Sequence, residues 1–493
     1  MSDGPNPRVS EIKIALEHLE AKMESEVSSR TELLQSLHPQ QYLAGKNLLE
    51  YLTIRNEDLW HMQDELHVLG LSSLASSEAH IHRQVQAIQE RLGRTYPLDT
   101  IDPCTYEFSK ASLKKKNQQL FGPKSEERVP SLMVTFDVGF ADNYALIKGL
   151  LQNGMNVARI NCAHDGEDTW SRMINKLKKA RQHTGLDCKI YMDLAGPKIR
   201  TKLLSKGKSS GKVKVEEGQL LWLAESGKGS KKEEVVISPN VEGIIPTLKK
   251  GDRVYLDDGV IRAVVEKNKG DRVGIRITRI SSEKKQIKNG KGINFPDTDL
   301  RIPSLTESDR TSLPFICEHA DLVGYSFVKN PQDLRDLRLA MKELTDTPPA
   351  VIVKIETPEA VKNLPALLLE GMKEPFFGAM IARGDLAVEI GFERLGEIQE
   401  EILWICEAGH VPVVWATQVL ESLNKSGMAT RSEITDAANA IQADCVMINK
   451  GDHTIEVLES LKDILKRSAE HRVKKRFRFR QLKIAERFLQ NGK

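Results

Sequence analysis

Between residues 131 and 450 short apolar runs recur along the chain, most of them followed by a segment of helical rhythm. Eight can be counted: LMVTF (132–136), NVARIN (156–161), KIYMD (189–193), ADLVGYSFV (320–328), AVIVKIE (350–356), FGAMIARGD (377–385), VPVVWATQ (411–418) and DCVMIN (444–449). Near-continuous apolar runs of this length alternating with helices predict parallel strands covered by helices on the outside. Eight such units predict a (β/α)8 TIM barrel, with a doubly wound sheet as the competing α/β arrangement. Seven runs begin apolar and finish on polar residues: Arg159 and Asn161, Asp193, Ser326, Lys354 and Glu356, Arg383 and Asp385, Thr417 and Gln418, and Asn449. Barrel enzymes place their chemistry at the C-terminal ends of the strands, so these seven ends predict one site.

Two regions break the rhythm. Residues 1–95 contain no strand-like run; EIKIALEHLEAKM sets Ile12, Leu16, Leu19 and Met23 on one helical face, which predicts an N-terminal helical module. Residues 202–287 are rich in Lys, Gly and Val, with alternating runs such as GDRVYLDDGVIRAVVE separated by turn residues. They predict a small β-domain inserted after the third barrel strand, a lid over the mouth on two linkers. The barrel is then discontinuous, 96–201 and 288–470, and residues 471–493 form a basic tail.

Composition narrows the class without naming a function. The chain of 493 residues is 29% charged and 40% apolar, and its formal net charge is only +3. That balance is ordinary for a globular protein and argues for neither a nucleic-acid nor a membrane partner. No apolar run reaches membrane-spanning length, and the N-terminus lacks a signal or transit pattern, so the expected location is the cytoplasm. Six scattered cysteines without a C-x-x-C pair read as reduced thiols. Histidines 61, 67, 80 and 82 have no metal spacing and read as surface or helix-cap residues. The run RVKKRFRFR (472–480) reads as a solvated tail or a closing helix.

Lys354 and Glu356 carry the chemistry that the strand ends suggest. At period-two spacing they face the same side of one strand, where unpaired charge is costly. Glu356 and Asp385, on successive strand ends, suit one Mg²⁺, which takes one or two protein carboxylates and leaves positions for substrate oxygens. The turn amides of RGD suit a carboxylate or phosphate, and Arg159 offers a forked donor to phosphate. Such an assembly fits phosphoryl transfer. The patterns GxSxG, GxxxxGK[ST] and GxGxxG are absent, so nothing supports a P-loop or Rossmann nucleotide site.

The segments GMNVARINCAH (154–164), MDLAGPKIRT (192–201), VYLDDGVI (254–261), KGINFP (291–296), VKIET (353–357), MIARGDLAVEI (380–390) and WATQVLESL (415–423) resemble the motifs of the pyruvate kinase family, in that family's order. The resemblance implies transfer of a phosphoryl group from phosphoenolpyruvate to ADP, with Mg²⁺ or Mn²⁺ held by Glu356 and Asp385. It implies catalytic roles for Lys354, Arg159 and Thr417, and substrate binding by these three with the Gly384 and Asp385 amides. Asn161, His164 and Arg200 would approach the nucleotide phosphates. Asn161 and Asp193 match a monovalent-cation site, but Ala163 stands where the family has serine, and DLAGPK replaces DTKGPE. Lys198, in place of the family glutamate, implies an ammonium that substitutes for K⁺ and hence potassium independence. The family's C-terminal effector domain has no counterpart here, and a homo-oligomer through the barrel or the N-terminal helices is left open. A Mg²⁺-dependent pyruvate or phosphoenolpyruvate lyase or aldolase, and a catalytically silent scaffold, are the competing readings.

Overall fold

The eight apolar runs pair in parallel and close into one barrel: β1 (Ser131–Phe136), β2 (Val157–Asn161), β3 (Lys189–Asp193), β4 (Leu322–Tyr325), β5 (Ala350–Ile355), β6 (Phe377–Ala382), β7 (Val413–Ala416) and β8 (Cys445–Ile448). Closure is made by β1 against β8, with Ser131 opposite Cys445. The structure is a computed structural model and describes residues 7–124, 126–227, 231–283, 285–298, 300, 302–470, 472–474 and 476–477. Helices that include 144–152, 167–184, 331–342 and 454–469 surround the barrel, as the alternation predicts.

Side chains fill the barrel in layers. Met133, Val157, Tyr191, Leu322, Ile352, Met380 and Val414 form one buried cluster, and Leu120 and Phe121 belong to it. Both come from the helix Tyr106–Phe121, which runs into β1 and closes the barrel at the N-terminal ends of its strands. Gly378, near the start of β6, permits this approach: a Cβ there would lie 3.3 Å from Leu120 Cδ1.

The N-terminal helices dock on that closed end. Asn47 donates to the Ala408 carbonyl (2.8 Å) and Gln41 to that of Pro375 (2.9 Å), while the Arg55 guanidinium lies 4.7 Å from the Trp404 ring centre. Ile12, Leu16, Leu19 and Met23 are buried together, as their spacing predicts. Histidine 82 departs from its surface reading: it is buried, its Nδ1 2.8 Å from Glu50 and its Nε2 3.3 Å from Glu20. His80 is buried as well. Glu20, Glu50 and Asp102 meet His82, Lys46 and Arg94 in one network, so the buried carboxylates are matched by cations.

The insertion forms a seven-stranded sheet and a two-stranded sheet around its own apolar core, which includes Leu203, Leu221, Ile237, Val254, Ile275 and Ile293. It leans on the helix that follows β6 and the turn after it: Asn294 donates to Glu389 at 2.6 Å, and Arg262 stands 5.8 Å from the Phe392 ring. Of the basic C-terminal run, Lys474 pairs with Asp444 at 2.8 Å; residues 478–493 lie outside the described residues. Among the described residues no helix is long and apolar enough to cross a membrane.

Candidate active site

Period-two spacing on β5 turns Lys354 inward, and Glu356 follows directly at the rim. The Lys354 ammonium lies 2.9 Å from Glu356 Oε1, 2.8 Å from Ser326 Oγ and 3.3 Å from Asp193 Oδ2. All four side chains are buried. Burial opposes the charge on Lys354, but Asp193 and Glu356 outweigh it and hold the amine above the ordinary lysine range. Ser326, by its sequence only a polar strand end, accepts from the lysine and donates to the Leu194 carbonyl at 2.6 Å.

Arg159, from β2, shares Asp193 with that lysine. Its Nε donates to Asp193 Oδ2 at 3.1 Å, a second guanidinium nitrogen reaches the same oxygen, and Nη1 donates to Thr135 Oγ1 at 3.1 Å. Tyr191 donates to the other Asp193 oxygen at 3.2 Å. Burial works against ionising Asp193, yet Lys354 and Arg159 prevail and keep its carboxyl below the usual range. The sequence offered no role for Tyr191 or Thr135. Period two from Asp193 points Tyr191 inward and period two from Met133 does the same for Thr135, but that spacing does not distinguish packing from function. Gly324 makes room: a Cβ there would collide with the Tyr191 hydroxyl and Asp193 Oδ1.

Beyond β6 the chain turns at once into the helix Arg383–Ile390. Arg383 anchors the turn, donating to the Ala416 and Thr417 carbonyls at 3.0 and 2.6 Å and lying 4.6 Å from the Trp415 ring centre. Thr417 has φ +67°, a left-handed conformation that is strained for a β-branched residue. Its Oγ1 accepts the Gly384 N–H at 2.7 Å, which ties the two strand ends together and occupies that amide.

The donor set at β5 and β6 fits a hard divalent cation. Glu356 and Asp385 offer carboxylate oxygens at adjacent strand ends, and they feel one another: burial pushes the Glu356 carboxyl up, and the Asp385 charge adds to that while Lys354 opposes it. Glu356 is positioned by the Phe327 N–H, 2.7 Å from Oε2. Asp385 Oδ1 lies 2.7 Å from Lys198 Nζ, and Lys198 is also 3.6 Å from Asp258 of the inserted domain. The trio Asn161, Asp193 and Lys198 is therefore not assembled as one cation site. Asp193 is held by Arg159 and Lys354, Asn161 Oδ1 accepts the Ala163 N–H at 3.0 Å, and Lys198 turns to Asp385.

Beside this cluster a cavity of about 260 Å³ opens between β1, β2 and β8, lined among others by Arg159, Asn161, His164, Lys425 and Lys450. Burial lowers the His164 pKa, and the charges of Lys450 and Arg200 lower it further, so its ring faces a cationic surround. Arg200 stands at the root of the inserted domain, donating to the Gly290 carbonyl at 3.0 Å.

Residues 122–455 match the family model described as the pyruvate kinase barrel domain. A pyruvate kinase of Bacillus licheniformis is 32% identical over 343 residues, which cover 65% of this chain and 54% of that protein. One from Thermotoga maritima is 33% identical over 337 residues, 66% of this chain and 68% of its own. One from Leishmania mexicana is 30% identical over 351 residues, 69% and 67% respectively. The chain thus spans about half the length of the first of these relatives and about two thirds of the others. With the matched segment running from the plug helix to the helix after β8, the chain belongs to the pyruvate kinase family.

Proposed function

We propose that the barrel mouth transfers the phosphoryl group of phosphoenolpyruvate to ADP, yielding pyruvate and ATP. The observation that carries this reading is the convergence of Lys354, Arg159, Asp193 and Glu356 on one buried rim, with Asp385 on the next strand end. Glu356 and Asp385 would hold Mg²⁺ or Mn²⁺, which supplies charge neutralisation for phosphate and enolate oxygens.

In this reading the bond broken joins phosphorus to the enol oxygen, and the bond formed joins it to the terminal phosphate oxygen of ADP. Lys354 and Arg159 are already fixed by Asp193, so their positive charge faces the transferring group with little reorganisation. The enolate left behind takes a proton at its methylene carbon. The Thr417 hydroxyl accepts from Gly384, which leaves its own proton to be donated, directly or through a water, toward that carbon. The amides of Gly384 and Asp385 would receive the substrate carboxylate once Thr417 releases the first of them. His164, Arg200 and Asn161 would meet the nucleotide phosphates in the neighbouring cavity. Lys198, where the family has glutamate, would supply an ammonium at the mouth in place of K⁺, which favours turnover without K⁺.

A coupled assay for pyruvate formed from phosphoenolpyruvate tests the proposal. Turnover that needs both ADP and Mg²⁺ supports it; ADP-independent carbon chemistry favours the lyase or aldolase reading, and no turnover favours the scaffold. Equal initial rates in K⁺ and in a bulky organic cation are expected, and a strong K⁺ requirement refutes that part.

A further inference from the structure

Lys198 belongs to the first linker of the inserted domain and bridges two carboxylates that belong to different bodies. Its ammonium is 2.7 Å from Asp385 Oδ1, at the barrel rim, and 3.6 Å from Asp258 Oδ1, on the inserted domain. Asp258 sits in the turn Asp257-Asp258-Gly259, whose three residues all have left-handed φ, +54°, +53° and +83°. Only the third is a glycine, so the turn is strained and needs external contacts to persist. It has them: Asp257 pairs with Lys291 at 2.8 Å, and Asp258 pairs with Lys198 at 3.6 Å.

We propose that Lys198 is an internal counter-ion of Asp385 that a divalent cation must displace, and that this displacement frees the Asp257–Gly259 turn of the lid. The inference rests on the reading of Glu356 and Asp385 as divalent-ion ligands. A lysine ammonium and a divalent ion compete for the same carboxylate because each needs its oxygen lone pairs, and their like charges repel at short range. Lys198 has room to move: its side chain is 27% exposed and hangs on a linker, so its ammonium can turn from Asp385 and remain at the mouth. Asp258 is 64% exposed, and once Lys198 leaves it the turn keeps one ion pair, Asp257 with Lys291, in place of two. Metal loading and lid release are thereby two readouts of one ion-pair exchange.

The test is Mn²⁺ binding followed by the loss of the free-ion electron paramagnetic resonance signal, on the full chain. Wild type is expected to bind, and Lys198→Met to bind about 5- to 10-fold tighter, tenfold being about 1.4 kcal/mol. Hydrogen exchange gives the second readout, because the Asp257 and Val260 amides are bonded to the Gly292 and Asp257 carbonyls. Mg²⁺ should speed exchange in peptides spanning 254–262 of wild type. In Asp258→Asn the same peptides should exchange fast before Mg²⁺ is added, and this exposed variant covers the case in which Lys198→Met misfolds. Unchanged Mn²⁺ affinity in Lys198→Met, or lid exchange indifferent to Mg²⁺ in wild type, overturns the proposal while the metal reading stands. Failure of wild type and both variants to bind Mn²⁺ overturns the metal reading and the proposal together.

Discussion

The ammonium of Lys354 lies 2.9 Å from Oε1 of Glu356, two residues on along the same strand end. Neither charge is buried alone: the lysine also meets Asp193 and Ser326, and the glutamate accepts the Phe327 amide. The pair is thus part of a compensated network, which is the condition under which buried ions persist. Lys354→Met should reduce phosphoryl transfer by about 100-fold or more, the scale expected when a fixed charge aimed at the reacting group is removed. Mn²⁺ should still bind, since Glu356 and Asp385 remain and a repelling cation is gone. Near-normal turnover in that variant would refute the role given to Lys354.

Gly324 offers a sharper probe of the same network because it carries no functional group. Its Cα faces Tyr191 and Asp193 so closely that any Cβ must push the tyrosine hydroxyl aside or move β4. Gly324→Ala should cost about 1–3 kcal/mol in unfolding free energy through overpacking. Turnover should fall further than stability does, because Asp193 orients both Arg159 and Lys354. Paired denaturation and rate measurements check this, and activity that merely follows the folded fraction speaks against Asp193 as the hub.

What the sequence made legible was local. The barrel strands were visible because apolar runs ended in polar residues at the rim, a pattern contained within each run. The lid was visible because its strands alternate and are punctuated by turn residues. The His82 network was not, since Glu20, Glu50 and Asp102 come from positions 62, 32 and 20 residues away, and only helix packing brings them together. The same holds for Leu120 and Phe121, whose helix reads like any surface helix until the barrel above it is known. Lys198 was recognisable as a departure from the family motif, but its partner depended on how the lid sits, which no spacing encodes.

The His82 network should govern the stability of the helical module. Burial alone would discharge the imidazole, but its hydrogen bonds to the carboxylates of Asp102, Glu20 and Glu50 raise its pKa to about 11. Glu20 is likewise opposed by burial and lowered to about 2, chiefly by His82 and Tyr96. A raised base contributes fully below its unfolded pKa, near 6.5, and loses that contribution as pH climbs toward 11. A depressed acid contributes above its unfolded value, near 4.5, and loses it as pH falls toward 2. Thermal stability should therefore be greatest between these windows, at about pH 4.5–6.5. His82→Ala, which removes the cation that Glu20, Glu50 and Asp102 share and leaves Lys46 and Arg94 to serve all three, should cost about 3–5 kcal/mol. A flat melting temperature across pH 4–10 in wild type would count against the network.

Glu389 makes the contact between barrel and lid dependent on pH. Burial raises its carboxyl to about 7 even though Asn294 donates to it at 2.6 Å. An acid raised on docking carries no penalty below its free pKa near 4.5; the penalty grows above that and is complete above about 7. Lid docking should thus weaken as pH rises from 5 to 7.5, seen as faster hydrogen exchange around Asn294, and Glu389→Gln should abolish the trend. An exchange rate with the same pH profile in both proteins, after correction for intrinsic chemistry, would contradict it.

Lys116 lies at the closed end of the barrel, in the helix that plugs it. The lysine is buried, its Nζ donates to the His410 carbonyl at 2.9 Å, and burial pushes its pKa down to about 7. The nearby His410 ring is itself held neutral, its pKa lowered by burial and by the Lys116 charge to about 3. A base lowered on folding is without penalty above its unfolded pKa near 10.4, and the penalty builds as pH falls from there to 7. Below pH 7 the full cost is present and the plug helix is held less firmly than its apolar residues allow. Lys116→Met keeps the length of the side chain and removes the charge, so it should raise stability near pH 7 by about 1–4 kcal/mol. The gain should shrink toward pH 10, where the buried wild-type amine is neutral and the unfolded amine is close to losing its own proton. Urea denaturation at pH 7 and pH 10 measures both values, and a variant that is destabilised at pH 7 would mean that the bond to His410 outweighs the cost of burying the amine.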